Sequence, residues 1–216
     1  MITHADQLEL FRLVGMHLSR DITCYAFGGT AMMFYGYKDE TKDVDLLFND
    51  EPSRKEFIEA IKQLGFNETS LLKIYIPEKL RDKNRPLMFK REDYRFDLFV
   101  KQIFKTKVSP RMKEDLFAIH EFKEKSTLKI GVFRKECIVQ LKAITERQND
   151  FDDILTILKK EQNFDWQYLI DETIWQHRHG DSWAILDMEK MIRQLKEYHF
   201  VEQKYLEQLY KAQKEK

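Results

Sequence analysis

Two aspartates one residue apart, Asp43 and Asp45 in the run DVDLLF, are the residues of this chain best suited to chemistry. The run has strand composition, and alternate side chains of a strand share a face, so the two carboxylates point one way while Val44 and Leu46 point into a core. Like charges at that spacing repel, and a divalent cation makes their proximity tolerable. Mg²⁺ in particular takes carboxylate oxygens together with substrate phosphates, so the pair anticipates metal and phosphate at once. Upstream, Gly28-Gly29 after a short apolar run lets the backbone approach a phosphate closely, the following helix offers free N–H groups, and Thr30 adds a hydroxyl. A third acid, Asp97 in YRFDLFV, stands in a run that otherwise reads as buried strand and therefore needs a partner. In a two-metal phosphoryl-transfer site such a carboxylate serves as metal ligand or base; a structural pairing with Arg95 or Arg91 is the alternative. An isolated DxD is an ordinary edge-strand pair and an isolated Gly-Gly only a turn. The order strand, Gly-Gly, helix, DVD is what points to a site.

The elements that must position these residues follow from periodicity. Asp6 to Ser19 carries apolar residues at helical spacing, Thr23 to Phe27 reads as a strand, Thr30 to Tyr35 as a short helix ending at Gly36, and Asp43 to Phe48 as the acidic strand. Pro52 opens a helix through Leu64, with Phe57, Ile58 and Ile61 on one face and Gly65 as its stop. Leu71 to Ile76 and Tyr94 to Val100 have strand composition and predict a hairpin or adjacent strands. The polar stretch between them bears Lys79, Arg81, Lys83 and Arg85, a solvated loop or a contact for RNA or a triphosphate tail. Met112 to His120 reads as a short helix and Leu128 to Phe133 as a strand. Beyond about residue 134 the apolar spacing is helical throughout, over Glu136 to Glu146, Phe151 to Lys160, Trp166 to Gln176, Ser182 to Tyr198 and Val201 to Ala212. The reading is an α+β chain: a mixed sheet flanked by helices over residues 1–133, followed by an all-helical part over 134–216.

Bulk properties narrow the function classes. With 43% hydrophobic and 13% aromatic residues, the 216-residue chain can bury a core, and only Lys211 to Lys216 read as a solvated tail. Lys plus Arg and Asp plus Glu number 37 each, so no global field draws the protein to nucleic acid or to anionic membrane. Cys24 and Cys137 sit far apart in apolar segments, as buried free thiols rather than a disulfide. No apolar run approaches the ~18 residues of a membrane span and the N-terminus has no leader pattern, which leads to a cytoplasmic expectation.

These residues together resemble the nucleotidyltransferase superfamily shared by polymerase-β-like enzymes, antibiotic nucleotidyltransferases and the AbiEii-like toxins of toxin–antitoxin systems. Its signature is a Gly-Gly or Gly-Ser turn, a short helix, two acids separated by one apolar residue, and a further acid on a later strand; Gly28-Gly29, Asp43 with Asp45, and Asp97 match in order. The likeness is greatest to AbiEii-like and related prokaryotic members, in which a basic residue and a Ser or Thr precede the acidic pair, as Lys38 and Thr41 do. That subgroup also carries a Lys, an Arg and acids on helices after the core, which Lys142, Arg147, Asp150 and Asp153 resemble. Lys38 stands where those relatives more often have Arg, and the helices from about residue 161 match nothing in the pattern.

The resemblance implies a nucleotidyltransferase-type fold and transfer of a nucleoside monophosphate from a triphosphate to a hydroxyl acceptor, which is RNA, protein or a small molecule. The implied cofactor is Mg²⁺, with Mn²⁺ as the substitute, held by Asp43, Asp45 and Asp97. Gly28, Gly29, Thr30, Lys38, Thr41 and Lys142 would bind the nucleotide, and an antitoxin is the implied partner. The rival is a catalytically silent module of the same fold in a larger complex. Residues alone leave further alternatives: Lys142 could snorkel to solvent, and Arg147, Asp150 and Asp153 are spaced for helix-surface ion pairs. The run WQHRHGDSW, with His177, His179 and Asp181, is a candidate zinc or iron site that lacks an evident fourth ligand, and Gly180 marks a helix end there.

Overall fold

The computed structural model describes residues 1–70, 83–145 and 147–215. The strand predicted over Leu71 to Ile76 and the basic residues Lys79 and Arg81 lie outside the described residues. The chain divides into two compact units, one of Met1–Val108 with Lys113–Phe133 and one of Ser109–Met112 with Arg134–Lys216.

The first unit begins with strand β1 (Ile2–Thr3) and helix α1 (His4–His17), started by a capping box in which Thr3 and Asp6 each accept the other's backbone N–H. Strand β2 (Ile22–Ala26) leads through Phe27 into α2 (Gly28–Phe34), and β3 (Glu40–Thr41) precedes the acidic strand β4 (Val44–Phe48). Helix α3 (Glu51–Gln63) is capped by Asp50, whose carboxylate accepts the Ser53 N–H at 2.7 Å, with Pro52 in the first turn. Strands β5 (Asn67–Glu68), β6 (Leu87–Arg91), β7 (Tyr94–Val100), β8 (Gln102–Ile103) and β9 (Thr106–Lys107) follow. After the short helix α4 (Pro110–Glu114), whose residues up to Met112 belong to the second unit, come β10 (Leu116–Lys123) and β11 (Thr127–Phe133).

Among the described residues the main sheet runs β10-β11-β2-β4-β7-β6-β5, with β8 and β9 appended to β7 and a separate β1-β3 pair. The sheet is mixed: β11 with β2 and β4 with β7 are parallel, and the other pairs antiparallel. Helices α1 and α3 pack against it. Alternation decides what they cover. Phe48 and Phe96 meet Phe57 of α3 with ring centroids 5.3 Å apart in each case, and all three rings are fully buried. Burial of each such side chain contributes about 1.5–3 kcal/mol, which holds β4 and β7 in register.

Two sequence expectations need correction. The hairpin partner of β7 is Leu87–Arg91, joined to it by a tight turn with Glu92 at φ +52°. The helix predicted over Met112 to His120 ends at Glu114, and Leu116–Lys123 is a strand. The apolar residues Met112, Leu116 and Ile119 fit helical spacing locally, but Leu116–Ile119 is a continuous apolar run that suits strand as well as helix, and pairing along the edge of β11 satisfies its backbone.

The second unit is helical: α5 (Lys135–Ala143), α6 (Gln148–Lys160), α7 (Trp166–Arg178), α8 (Ala184–Leu195) and α9 (Gln203–Lys214). Its core includes Ile138, Ile154, Ile157, Leu169, Ile185, Ile192 and Leu209, all nearly or fully buried. Tyr168 is buried beneath the guanidinium groups of Arg111 and Arg134, 3.9 and 4.4 Å from its ring centre. No helix among the described residues is long and apolar enough to cross a membrane.

Candidate metal centre

Strand β4 pairs in parallel with β7 so that Asp45 and Asp97 are direct partners, and partners in neighbouring strands share a face of the sheet. Asp43 lies in the bend that leads into β4, two residues before Asp45 and on the same side. Asp43, Asp45 and Asp97 each offer a carboxylate oxygen within 4.8 Å of the others, the only such group of three or more His, Cys, Asp or Glu among the described residues. An all-carboxylate set of hard oxygen donors suits Mg²⁺ or Mn²⁺ better than a metal that prefers nitrogen or sulfur. Asp97 is buried at 1% exposure, whereas Asp43 and Asp45 are half-buried, so the group has a dry base and an open rim.

Gly28 is explained by contact with this cluster and Gly29 by contact with Thr41. Gly28 has φ +55°, a left-handed conformation that disfavours L side chains, and a Cβ there would stand 2.5 Å from Asp45 Oδ2. A Cβ on Gly29 would fall on the Thr41 hydroxyl. No side chain caps α2 at Phe27. The turn expected to make room for a phosphate thus makes room first for an acid and a hydroxyl of the protein itself. Thr30 is fully buried, and its hydroxyl accepts the Asp45 N–H at 2.7 Å, which fixes the backbone of the acidic strand. Thr41 is buried against Gly29, and Lys38 is half-buried in the loop between α2 and β3.

Arg95 is the residue whose role sequence reasoning understated. It stands two positions before Asp97 on β7, hence on the same face, and its Nε donates to Asp97 Oδ1 at 2.9 Å while a terminal N–H donates to Oδ2 at 3.4 Å. The same guanidinium also pairs with Asp43. The i, i+2 spacing was a visible signal for the first contact. No sequence signal announces the second, because Asp43 reaches Arg95 only through the β4-β7 pairing.

Lys142 lies in the second unit at 7% exposure. Its ammonium donates to Asp150 at 2.8 Å and Asp153 at 2.6 Å, and Arg147 Nε donates to Asp150 at 2.6 Å. Burial would push the Asp150 carboxyl up, but the Lys142 charge and hydrogen bonds from Lys142, Thr145 and Arg147 outweigh it and hold the group down at about 2. Burial would likewise lower Lys142, yet Asp150 and Asp153 raise it. Lys142 is thus enclosed with Asp150 and Asp153 rather than snorkelling to solvent, while the helix-spaced ion pair of Arg147 with Asp150 forms with Arg147 exposed.

The histidine segment assembles no site among the described residues. His179 caps α7, its Nδ1 2.7 Å from the Trp175 carbonyl and its ring stacked on Trp175, while Asp181 accepts the Trp183 N–H. Both cysteines are buried free thiols, and burial raises each thiol pKa, that of Cys137 to about 12.

No protein-family model matches the chain. No curated protein sequence matches it. Among solved structures it is similar to ANT(2")-Ia in complex with adenylyl-2"-tobramycin, at 12% identity over 64% of this chain and 79% of that one with a TM-score of 0.41. It is also similar to a protein from H. pylori assigned as a nucleotidyltransferase, at 13% identity over 97% and 91% of the two chains with a TM-score of 0.43.

Proposed function

We propose that this protein is a divalent-metal-dependent nucleotidyltransferase that moves a nucleoside monophosphate from a triphosphate to a hydroxyl acceptor. The observation that carries the reading is the convergence of Asp43, Asp45 and Asp97 within 4.8 Å beside the Gly28 corner. The acceptor oxygen forms a bond to the α-phosphorus, the bond from that phosphorus to the β-phosphate bridging oxygen breaks, pyrophosphate leaves, and the acceptor proton passes to a base. Asp43, Asp45 and Asp97 would hold Mg²⁺ or, in its place, Mn²⁺. The ion, when bound, would neutralise triphosphate charge and polarise the acceptor hydroxyl.

The chain's own residues do the positioning. Thr30 sets the height of Asp45, Gly28 lets that carboxylate lie against the backbone, and Arg95 orients Asp97, the candidate proton acceptor. Gly28, Gly29, Lys38 and Thr41 would line the triphosphate side, with Thr30 acting through Asp45. Lys142, the remaining residue that the resemblance offers for nucleotide binding, is held in the second unit by Asp150 and Asp153. The sequence resemblance to AbiEii-like proteins extends the proposal to RNA or protein as acceptor, a toxin–antitoxin or defence setting, and an antitoxin partner.

One observation favours a second reading. Arg95 engages two of the three carboxylates, as expected of a silent module whose acids are satisfied internally. Calorimetry with ATP, GTP, CTP and UTP plus Mg²⁺ separates the two: binding supports the enzyme, and no heat at millimolar nucleotide supports the module. A radiolabelled triphosphate screen against total RNA and total protein then identifies the acceptor, and transfer that survives Asp45→Asn would reject the proposal.

A further inference from the structure

We infer that Arg95 is the resident counter-ion of the acidic cluster: it holds Asp97 in place permanently and occupies Asp43 until a divalent cation displaces it from that carboxylate. This rests on the reading of Asp43, Asp45 and Asp97 as a metal centre. The two contacts of the guanidinium are unequal in kind. Arg95 and Asp97 lie two residues apart on one strand and share two N–H···O bonds, so their pairing is built into β7. Asp43 belongs to a different segment, the bend before β4, and its side chain is 24% exposed against 2% for Asp97.

Electrostatics explains why the protein would keep such a group. A buried carboxylate without a compensating charge is costly, and a guanidinium on the same strand face lets Asp97 sit at 1% exposure before any metal arrives. A planar fork suits the task because it can serve two carboxylates at once. The same feature makes Arg95 a competitor. A divalent ion bound through Asp43 and the guanidinium on that carboxylate are like charges drawn to the same place, so binding of one weakens the other. The Arg95 side chain is 19% exposed, which leaves it a route away from Asp43 without leaving Asp97. Metal affinity at this centre is therefore set by an exchange rather than by the carboxylates alone, and Arg95 is a positioning residue for Asp97 that tunes how readily the metal enters.

The test uses Mn²⁺ alone, titrated into the full chain and followed by the paramagnetic signal of the free ion. Arg95→Gln should bind Mn²⁺ about tenfold more tightly than the unmodified protein, the scale of one charge-assisted hydrogen bond given up on binding. Arg95→Lys, which keeps the charge, should stay within about threefold of it. Melting of metal-free Arg95→Gln should fall below that of the unmodified protein and recover more steeply with Mn²⁺. If Arg95→Gln does not fold, the unmodified chain still decides the matter: the resonance of the Arg95 Nη2 protons, the group that pairs with Asp43, should shift in step with added Mg²⁺ while that of Nε–H, held by Asp97, moves less. An unchanged or weaker Mn²⁺ affinity in Arg95→Gln, or a resonance indifferent to Mg²⁺, overturns the inference and leaves the nucleotidyltransferase reading intact. Failure of the unmodified protein to bind Mn²⁺ at all overturns both.

Discussion

Two clusters of carboxylates gather around a basic side chain in this chain, and they are built differently. In the first unit Asp43, Asp45 and Asp97 come from strand residues and a strand-entry bend, and the Asp43 side chain remains 24% exposed. In the second unit Asp150 and Asp153 close on Lys142 from one turn of α6, and the three side chains are only 6%, 11% and 8% exposed. The acids of α6 face a lysine that neutralises them in place, eight and eleven residues earlier in sequence. In the first cluster Arg95 pairs with Asp43 and Asp97, and burial is uneven, with Asp97 enclosed and Asp43 open to solvent. The difference teaches that carboxylates near a cation are not one motif. The two differ in exposure and in the number of acids per site, three against two, and on the reading proposed above that difference separates a ligand site from a structural one.

The comparison breaks most visibly if the first cluster proves structural. Asp45→Asn should lower nucleotidyl transfer by about a thousandfold, several kcal/mol of transition-state charge stabilisation, while the urea midpoint changes little. A loss of stability without a loss of turnover would exchange the roles of the two clusters. Lys142→Met should do the reverse, costing about 3–5 kcal/mol of stability because it strands two buried acids. Chemical denaturation checks this, and a variant as stable as the unmodified chain would show that the second cluster is dispensable to folding. Gly28→Ala adds a methyl against Asp45 Oδ2 at a left-handed backbone and should cost about 1–3 kcal/mol, with Mn²⁺ affinity falling alongside.

Titration sharpens the second cluster. Asp150 is held at about 2, below the ordinary 3.8, so its contribution to stability is present above pH 3.8 and is lost as pH falls towards 2. Lys142 is raised, so its contribution is present below its ordinary 10.5 and is lost at higher pH, as its raised folded value is passed. Denaturant midpoints should therefore fall at both extremes, and Lys142→Met should lose the alkaline limb. The smallest effect is expected of Arg147→Ala. That side chain is 67% exposed, and its truncation should cost no more than about 1 kcal/mol although it touches the same Asp150. A larger loss, measured in the same unfolding assay, would mean that the cluster depends on its exposed member as much as on its buried one.

Much of this was legible in local pattern. The strand, Gly-Gly, helix, DVD order is written within about two dozen residues, and the five helices after residue 134 follow from spacing of three and four. The helix expected over Met112 to His120 gives way to a strand because the continuous apolar run Leu116–Ile119 suits either, and the edge of β11 settles which is used. The histidine segment was ambiguous for a similar reason: two His and an Asp are close in sequence, yet His179 turns back to the Trp175 carbonyl.

By itself the sequence determined which groups could do chemistry and which faces of strands and helices they share, since alternation and the 3.6-residue turn are properties of neighbours along the chain. Only the tertiary structure decided that Asp97 stands opposite Asp45, that Arg95 bridges to Asp43, and that Thr30 and Thr41 brace the acidic strand and the glycine turn. Those facts depend on the register of two strands some fifty residues apart, fixed by the burial of Phe48, Phe57 and Phe96, and register is a property of the packed core that no local window contains.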